Sequence, residues 1–154
     1  MLKVIVSLLL TLAINAKEAN AKSKVCPSGW MHLVSACYHL STYKTTWSKA
    51  RAACQKLEGD LVVPTNSKEN NAVSNIVKQR KLGHPWIGLV RHKDKKFYTV
   101  QGGKPSYTNW HPAQPDSPNS ENCAHFYDSI GRWNDIPCSQ QYHFICQKPP
   151  IKRK

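Results

Sequence analysis

Gln114, Asp116, Glu121, Asn134 and Asp135 bring five oxygen-bearing side chains into one late stretch of the chain. Carboxylate and amide oxygens are the donors that a hard divalent cation prefers, and calcium takes about six to eight of them. Asp116, Glu121 and Asp135 would bring three negative charges to such an ion. The chain has only nine acidic residues, so three in this stretch is a concentration. Even with a backbone carbonyl added, the five would leave coordination positions open for a ligand. The same side chains could equally serve as solvated loop polars. Asp116 and Glu121 could be imagined as a glycosidase pair, but they fit better as cation ligands. No Ser/His/Asp or Cys/His constellation stands out, and the seven histidines show no metal-binding spacing, so no enzyme is expected.

The first of these residues sit in a loop. Asn109 to Asn122 is polar and carries Pro112, Pro115 and Pro118, too many prolines for regular structure. Long structureless loops in compact domains are usually functional. Apolar alternation from Cys123 to Tyr127 and from Tyr142 to Gln147 predicts strands behind it, and Trp86-Ile87-Gly88-Leu89 predicts a buried strand before it. Phe97–Val100, a glycine-containing turn at Gln101–Lys104 and Pro105–Trp110 predict a hairpin or turned loop. Two helices precede all of these. One spans about Thr46 to Glu58, with Trp47, Ala50, Cys54 and Leu57 on one face, Thr45 or Thr46 as cap and Gly59 as stop. The other spans about Ser67 to Arg80, with Asn66 and Glu69 as a capping pair and Ala72, Val73, Ile76 and Val77 as its buried stripe. Helices early and strands late predict an α+β domain.

The N-terminus reads as a signal peptide over residues 1–21. Lys3 precedes the apolar run Val4–Ile14, and small-residue sites allow cleavage after Ala16 or Ala21. That run is much shorter than the about 20 residues of a membrane span, so a secreted, extracellular product without a transmembrane segment is expected. The domain then covers residues 22–148, and residues 149–154 form a basic, disordered tail. Six cysteines follow the signal. In an oxidising compartment an even number implies disulfides, with several connectivities open. No CxxC or CxxH pair suggests zinc. The formal charge of +13 favours anionic partners such as acidic glycans or microbial surfaces. A secreted address argues against nucleic acid. Arg91-His92-Lys93-Asp94-Lys95-Lys96 is a basic run that could bind anions or simply be a solvated face.

Several motifs occur together and in order: the cysteine spacing, Trp47…Cys54…Gly59-Asp60-Leu61, Trp86-Ile87-Gly88-Leu89, Gln114-Pro115-Asp116, Trp133-Asn134-Asp135 and Phe144-Ile145-Cys146. In these the chain resembles the C-type lectin-like domain from Cys26 to about Gln147. The resemblance implies two helices, small antiparallel sheets, a long calcium-binding loop region and three disulfides, Cys26–Cys37, Cys54–Cys146 and Cys123–Cys138. It implies Ca2+ held by Gln114, Asp116, Glu121, Asn134 and Asp135, with Pro115 cis. Two sugar hydroxyls would complete the calcium shell, so the same five residues would bind carbohydrate. The Gln-Pro-Asp order implies galactose or N-acetylgalactosamine. Ser117 and Pro118 stand where galactose-binding members often carry a stacking tryptophan. His111 is then the expected ring contact, with Trp110 and Trp133 buried in the fold. The family's accessory calcium positions fall at Val90, Asp94, Ser117 and Asn122, of which only Asp94 is acidic. The resemblance implies a lectin of innate recognition or agglutination. The alternative is a non-sugar interaction protein on the same fold, such as a toxin, inhibitor or biomineral-organising protein. With all cysteines used internally, any homo-oligomer would be non-covalent.

Overall fold

The computed structural model describes residues 24–152, and the expected signal peptide lies outside them. Two four-stranded antiparallel sheets carry the domain. The first has the order β2-β3-β9-β4, from Met31–Leu33, Ala36–Leu40, Ile145–Lys148 and Asp60–Leu61. The second has the order β6-β5-β7-β8, from Phe97–Thr99, Trp86–Arg91, Cys123–Phe126 and Trp133–Ile136. Two helices, α1 (Trp47–Lys56) and α2 (Ser67–Gln79), precede the second sheet in the chain. The architecture is the expected α+β arrangement of two helices with antiparallel sheets. No helix among the described residues is long and apolar enough to cross a membrane.

Large apolar side chains join these parts into one core. Tyr38, Leu61, Trp86, Ile87, Leu89, Phe126, Trp133 and Ile145 are all fully buried. Burying a large apolar side chain stabilises the fold by roughly 1.5–3 kcal/mol. The three most enclosed indoles also satisfy their N–H groups. Trp47 donates to the Ile87 carbonyl at 2.8 Å, Trp86 to the Thr45 carbonyl at 2.8 Å, and Trp133 to Asn70 Oδ1 at 2.9 Å. The three expected disulfides form, and no described cysteine is free. Cys54–Cys146 ties α1 to β9 across 92 residues of sequence. Closing so long a loop stabilises by roughly 4–5 kcal/mol on the chain-entropy view.

The helices depart from expectation at their edges. α1 ends at Lys56, and Leu57 is exposed rather than part of the buried face. Glu58, not Gly59, takes the left-handed turn, with φ of 59°. Gly59 is needed for a different reason: a Cβ there would meet the Gln147 carbonyl oxygen at 2.7 Å. Thr46 occupies the N-cap position without a side-chain cap bond. In α2, Asn66 caps as expected by accepting from the Glu69 N–H. The buried face is rotated, however, to Glu69, Asn70, Val73, Ser74 and Val77. Polar partners drive the rotation. Glu69 accepts from Tyr38 Oη, Gln147 Nε2 and the N–H and Oγ1 of Thr65, and Asn70 bridges Trp133 and the Gly131 carbonyl.

The strands depart from expectation in two places. Phe97–Thr99 pairs backwards with β5, in the register Leu89↔Thr99 and Arg91↔Phe97, and not onward with Pro105–Trp110. The hairpin turn is therefore the basic run itself, closed by Lys95 N–H to His92 O and His92 N–H to Lys96 O, both at 2.9 Å. Within the expected tail, the described residues 151–152 are ordered. Ile151–Lys152 (β10) pairs antiparallel with Lys24–Val25 (β1), so backbone hydrogen bonding orders a segment whose composition suggests none.

Candidate functional site

Strand β8 positions the first part of the site. Its alternation buries Trp133 and Asp135 and leaves Asn134 and Ile136 half-buried. Trp133 anchors the loop on both sides, accepting from the His111 N–H at 2.8 Å and donating its own N–H to Asn109 O at 2.7 Å. The chain then turns through Gln114 N–H to His111 O at 2.9 Å, with Ala113 at a φ of 66°. The Gln114–Pro115 bond is cis, as the resemblance implied. A second turn, Glu121 N–H to Ser117 O at 3.0 Å, returns the chain to β7.

This path converges three carboxylates. Asp116, Glu121 and Asp135 each offer an oxygen within 4.8 Å of the others. It is the one such group of His, Cys, Asp and Glu side chains among the described residues. Asp116 and Glu121 come from the loop, while Asp135 is fully buried on β8. The buried carboxylate orders the loop backbone. Its Oδ1 accepts from Asp116 N–H at 3.3 Å and its Oδ2 from Ser117 N–H at 3.4 Å. Burial, and then the Asp135 and Asp116 charges beside it, push the Glu121 carboxyl above its ordinary range. A divalent cation among these groups would relieve that repulsion.

Gln114 joins the cluster through its amide Nε2, which donates to Asp116 Oδ2 at 3.2 Å. Its Oε1 is buried and has no hydrogen-bond partner. A buried acceptor left without a donor is costly, and a metal ion is one way to satisfy it. Asn134 is engaged only through its amide nitrogen, which donates to the Asp135 carbonyl and lies 3.3 Å from His125 Nε2. The set as a whole is oxygen-rich, partly enclosed and carries three negative charges, which suits calcium.

Trp133 is buried as expected, whereas Trp110 is only half-buried, packed against Phe97 and edge-on to Trp133. His111 is half-buried, with its ring edge-on to Tyr127 at 5.0 Å. Beyond Tyr127 lie His84, His125 and Tyr142, with His125 stacked on Tyr142 at 5.2 Å. Sequence reasoning missed this group of rings. Alternation along Cys123-Ala124-His125-Phe126 was a signal for a strand but not for what it faces. Arg91, which reads in sequence only as part of the basic run, donates to Asp135 Oδ2 at 2.6 Å. Asp94, the acidic member of the accessory positions, is instead engaged by Tyr98 Oη at 2.8 Å and by the Lys96 N–H.

The family model described as "Lectin C-type domain" matches residues 43–148. A perlucin-like protein of Mytilus galloprovincialis is 34% identical over 128 residues, covering 79% of this chain and 81% of that protein. The human C-type mannose receptor 2 is 34% identical over 133 residues, covering 84% of this chain but only 9% of the receptor. Among solved structures, a calcium-independent type II antifreeze protein superposes with a TM-score of 0.79 at 27% identity, covering 86% of this chain and all of that one. The chain belongs to the C-type lectin domain family.

Proposed function

We propose that the protein is a secreted, calcium-dependent carbohydrate-binding lectin acting in recognition or agglutination, with galactose-type sugars as ligands. The carrying observation is the convergence of Asp116, Glu121 and Asp135 beside the orphaned Oε1 of Gln114. Gln114, Asp116, Glu121, Asn134 and Asp135 would hold the calcium, which supplies a positive centre for two sugar hydroxyls. The carboxylates of Asp116 and Glu121 accept hydrogen bonds from those hydroxyls, and the amides of Gln114 and Asn134 donate to them. Amide and carboxylate occupy different ends of Gln114-Pro115-Asp116, so the pair of hydroxyls that fits is set by the motif. Three carboxylates gathered at one site serve binding here, and no enzymatic role is assigned to them. Secretion rests on the signal-like residues 1–21 and agrees with three disulfides.

A glycan array run with calcium and with chelator tests the reading. Galactose-type hits should appear only with calcium and vanish in Asp116→Ala. Hits that ignore chelator would sink it. A second reading is a non-sugar interaction protein, favoured by the absence of an aromatic side chain at Ser117 and Pro118 and by the similarity to a calcium-independent antifreeze protein. An array without calcium-dependent hits supports that one.

A further inference from the structure

Arg91 ends β5 with a guanidinium that is only 5% exposed, against the Asp135 carboxylate at 0%. All three of its nitrogens are engaged. Nη2 donates to Asp135 Oδ2 at 2.6 Å, Nε to the Glu121 carbonyl at 3.2 Å, and Nη1 to the Lys95 carbonyl at 2.9 Å. The group lies 4.4 Å over the Phe97 ring, and the Arg91 N–H donates to Asn122 O at 2.8 Å. Lys95, in the turn of the same hairpin, reaches Asn119 Oδ1 at 2.9 Å and Pro118 O at 3.3 Å. The β5–β6 hairpin thus grips residues 118–122 at both ends. Asp135 passes the constraint on, because its two oxygens accept from Asp116 and Ser117.

Such a pair has a clear electrostatic role. A carboxylate buried without a counter-charge is strongly disfavoured, and a planar guanidinium is the side chain best shaped to pair with it. Charge-assisted hydrogen bonds are also the strong ones. We infer that Arg91, assisted by Lys95, is a positioning residue: an internal cation that holds Asp135 and the Asp116–Glu121 loop in binding geometry before calcium arrives. The part about calcium rests on the proposed function; the ordering of the loop does not. Two members of the basic run are then struts for the site rather than a free anion-binding face.

Hydrogen–deuterium exchange of the full chain, read by mass spectrometry in chelator and in calcium, tests the assignment. In chelator the wild-type amides of Gln114, Asp116, Ser117, Ser120 and Glu121, each of which donates a hydrogen bond, should be protected. In Arg91→Met they should exchange on the order of tenfold to a hundredfold faster, while α1 and α2 keep their protection. Arg91→Lys should restore part of the loss, and calcium should restore the Met variant toward wild type, a rescue that a purely packing role would not give. Wild-type exchange in Arg91→Met under chelator would overturn the inference. So would an absence of calcium rescue in a protein whose wild type binds calcium by calorimetry. If Arg91→Met loses protection throughout, Lys95→Met decides: faster exchange confined to residues 117–121 supports the inference, and wild-type exchange there overturns it. A wild type that shows no heat of calcium binding would remove the calcium reading alone and leave the chelator comparison standing.

Discussion

His125 and Asn134 face each other across the β7–β8 ladder, with the Asn134 amide 3.3 Å from His125 Nε2. The pairing places a buried imidazole directly behind one expected calcium ligand. Its Nδ1 has no hydrogen-bond partner.

Burial, reinforced by His84 nearby, lowers the His125 pKa to about 4. The unfolded chain would titrate near 6.5, so between these values the unfolded state binds more protons. The resulting stability is fully present above pH 6.5 and is lost progressively as pH falls toward 4. The difference corresponds to roughly 3 kcal/mol. Denaturant unfolding in calcium-free buffer should show this decline, and His125→Phe should flatten it. A wild-type profile level across that window would contradict the buried neutral imidazole.

Asp135 and Asp116 should behave differently although both are expected ligands. Asp135 is buried against Arg91, and removing one partner of a buried pair costs about 3–5 kcal/mol. Asp116 is exposed, and Asp116→Ala should change stability without calcium by less than about 0.5 kcal/mol. Asp135→Asn should therefore lower the calcium-free unfolding midpoint and Asp116→Ala should not. Both should weaken calcium binding in calorimetry. Equal calcium-free stabilities for the two variants would mean that the Arg91–Asp135 pair is not the constraint its burial implies.

Much of this fold was legible from residue types because those residues do two jobs in plain view. Trp47, Ala50 and Cys54 state a helix face by their spacing, and the Asn66–Glu69 pair states a helix start. The cysteine pairing was legible only through the order of motifs, and the expected ligand set rests on that same order. Illegible features depended on partners distant in sequence. Glu69 is buried because Tyr38 and Gln147 reach it, 31 and 78 residues away in sequence. Arg91 reads as one more member of a basic run until Asp135 arrives 44 residues later. Residues 151–152 order because β1 lies beside them.

Gly59 shows the same dependence in a form that can be measured. Its backbone approaches Gln147 on β9 so closely that an alanine Cβ would lie 2.7 Å from the carbonyl oxygen and 3.1 Å from Trp30 Cη2. Backbone cannot move aside as a flexible side chain can, so Gly59→Ala should cost about 1–3 kcal/mol. Gly103 has nothing within 4 Å of such a Cβ and no left-handed φ. Gly103→Ala should leave the denaturation midpoint nearly unchanged. Equal midpoints for the two alanine variants would refute the close approach.

Sugar preference is the last separable property. If the placement of amide and carboxylate sets it, the double variant Gln114→Glu with Asp116→Asn should move array binding from galactose-type toward mannose-type sugars. Calcium affinity should change little, because charge is exchanged between the two positions and not removed. His111 tests the other contribution. Its ring stands edge-on to Tyr127, beside the turn that carries Gln114. His111→Ala should weaken galactose binding by about 1 kcal/mol, roughly fivefold, the scale of one lost aromatic contact. Calcium binding by calorimetry should be unaltered, since the His111 side chain is not among the expected ligands. Loss of calcium affinity in His111→Ala would show that the ring shapes the loop, and an unmoved double variant would assign preference to groups outside the motif.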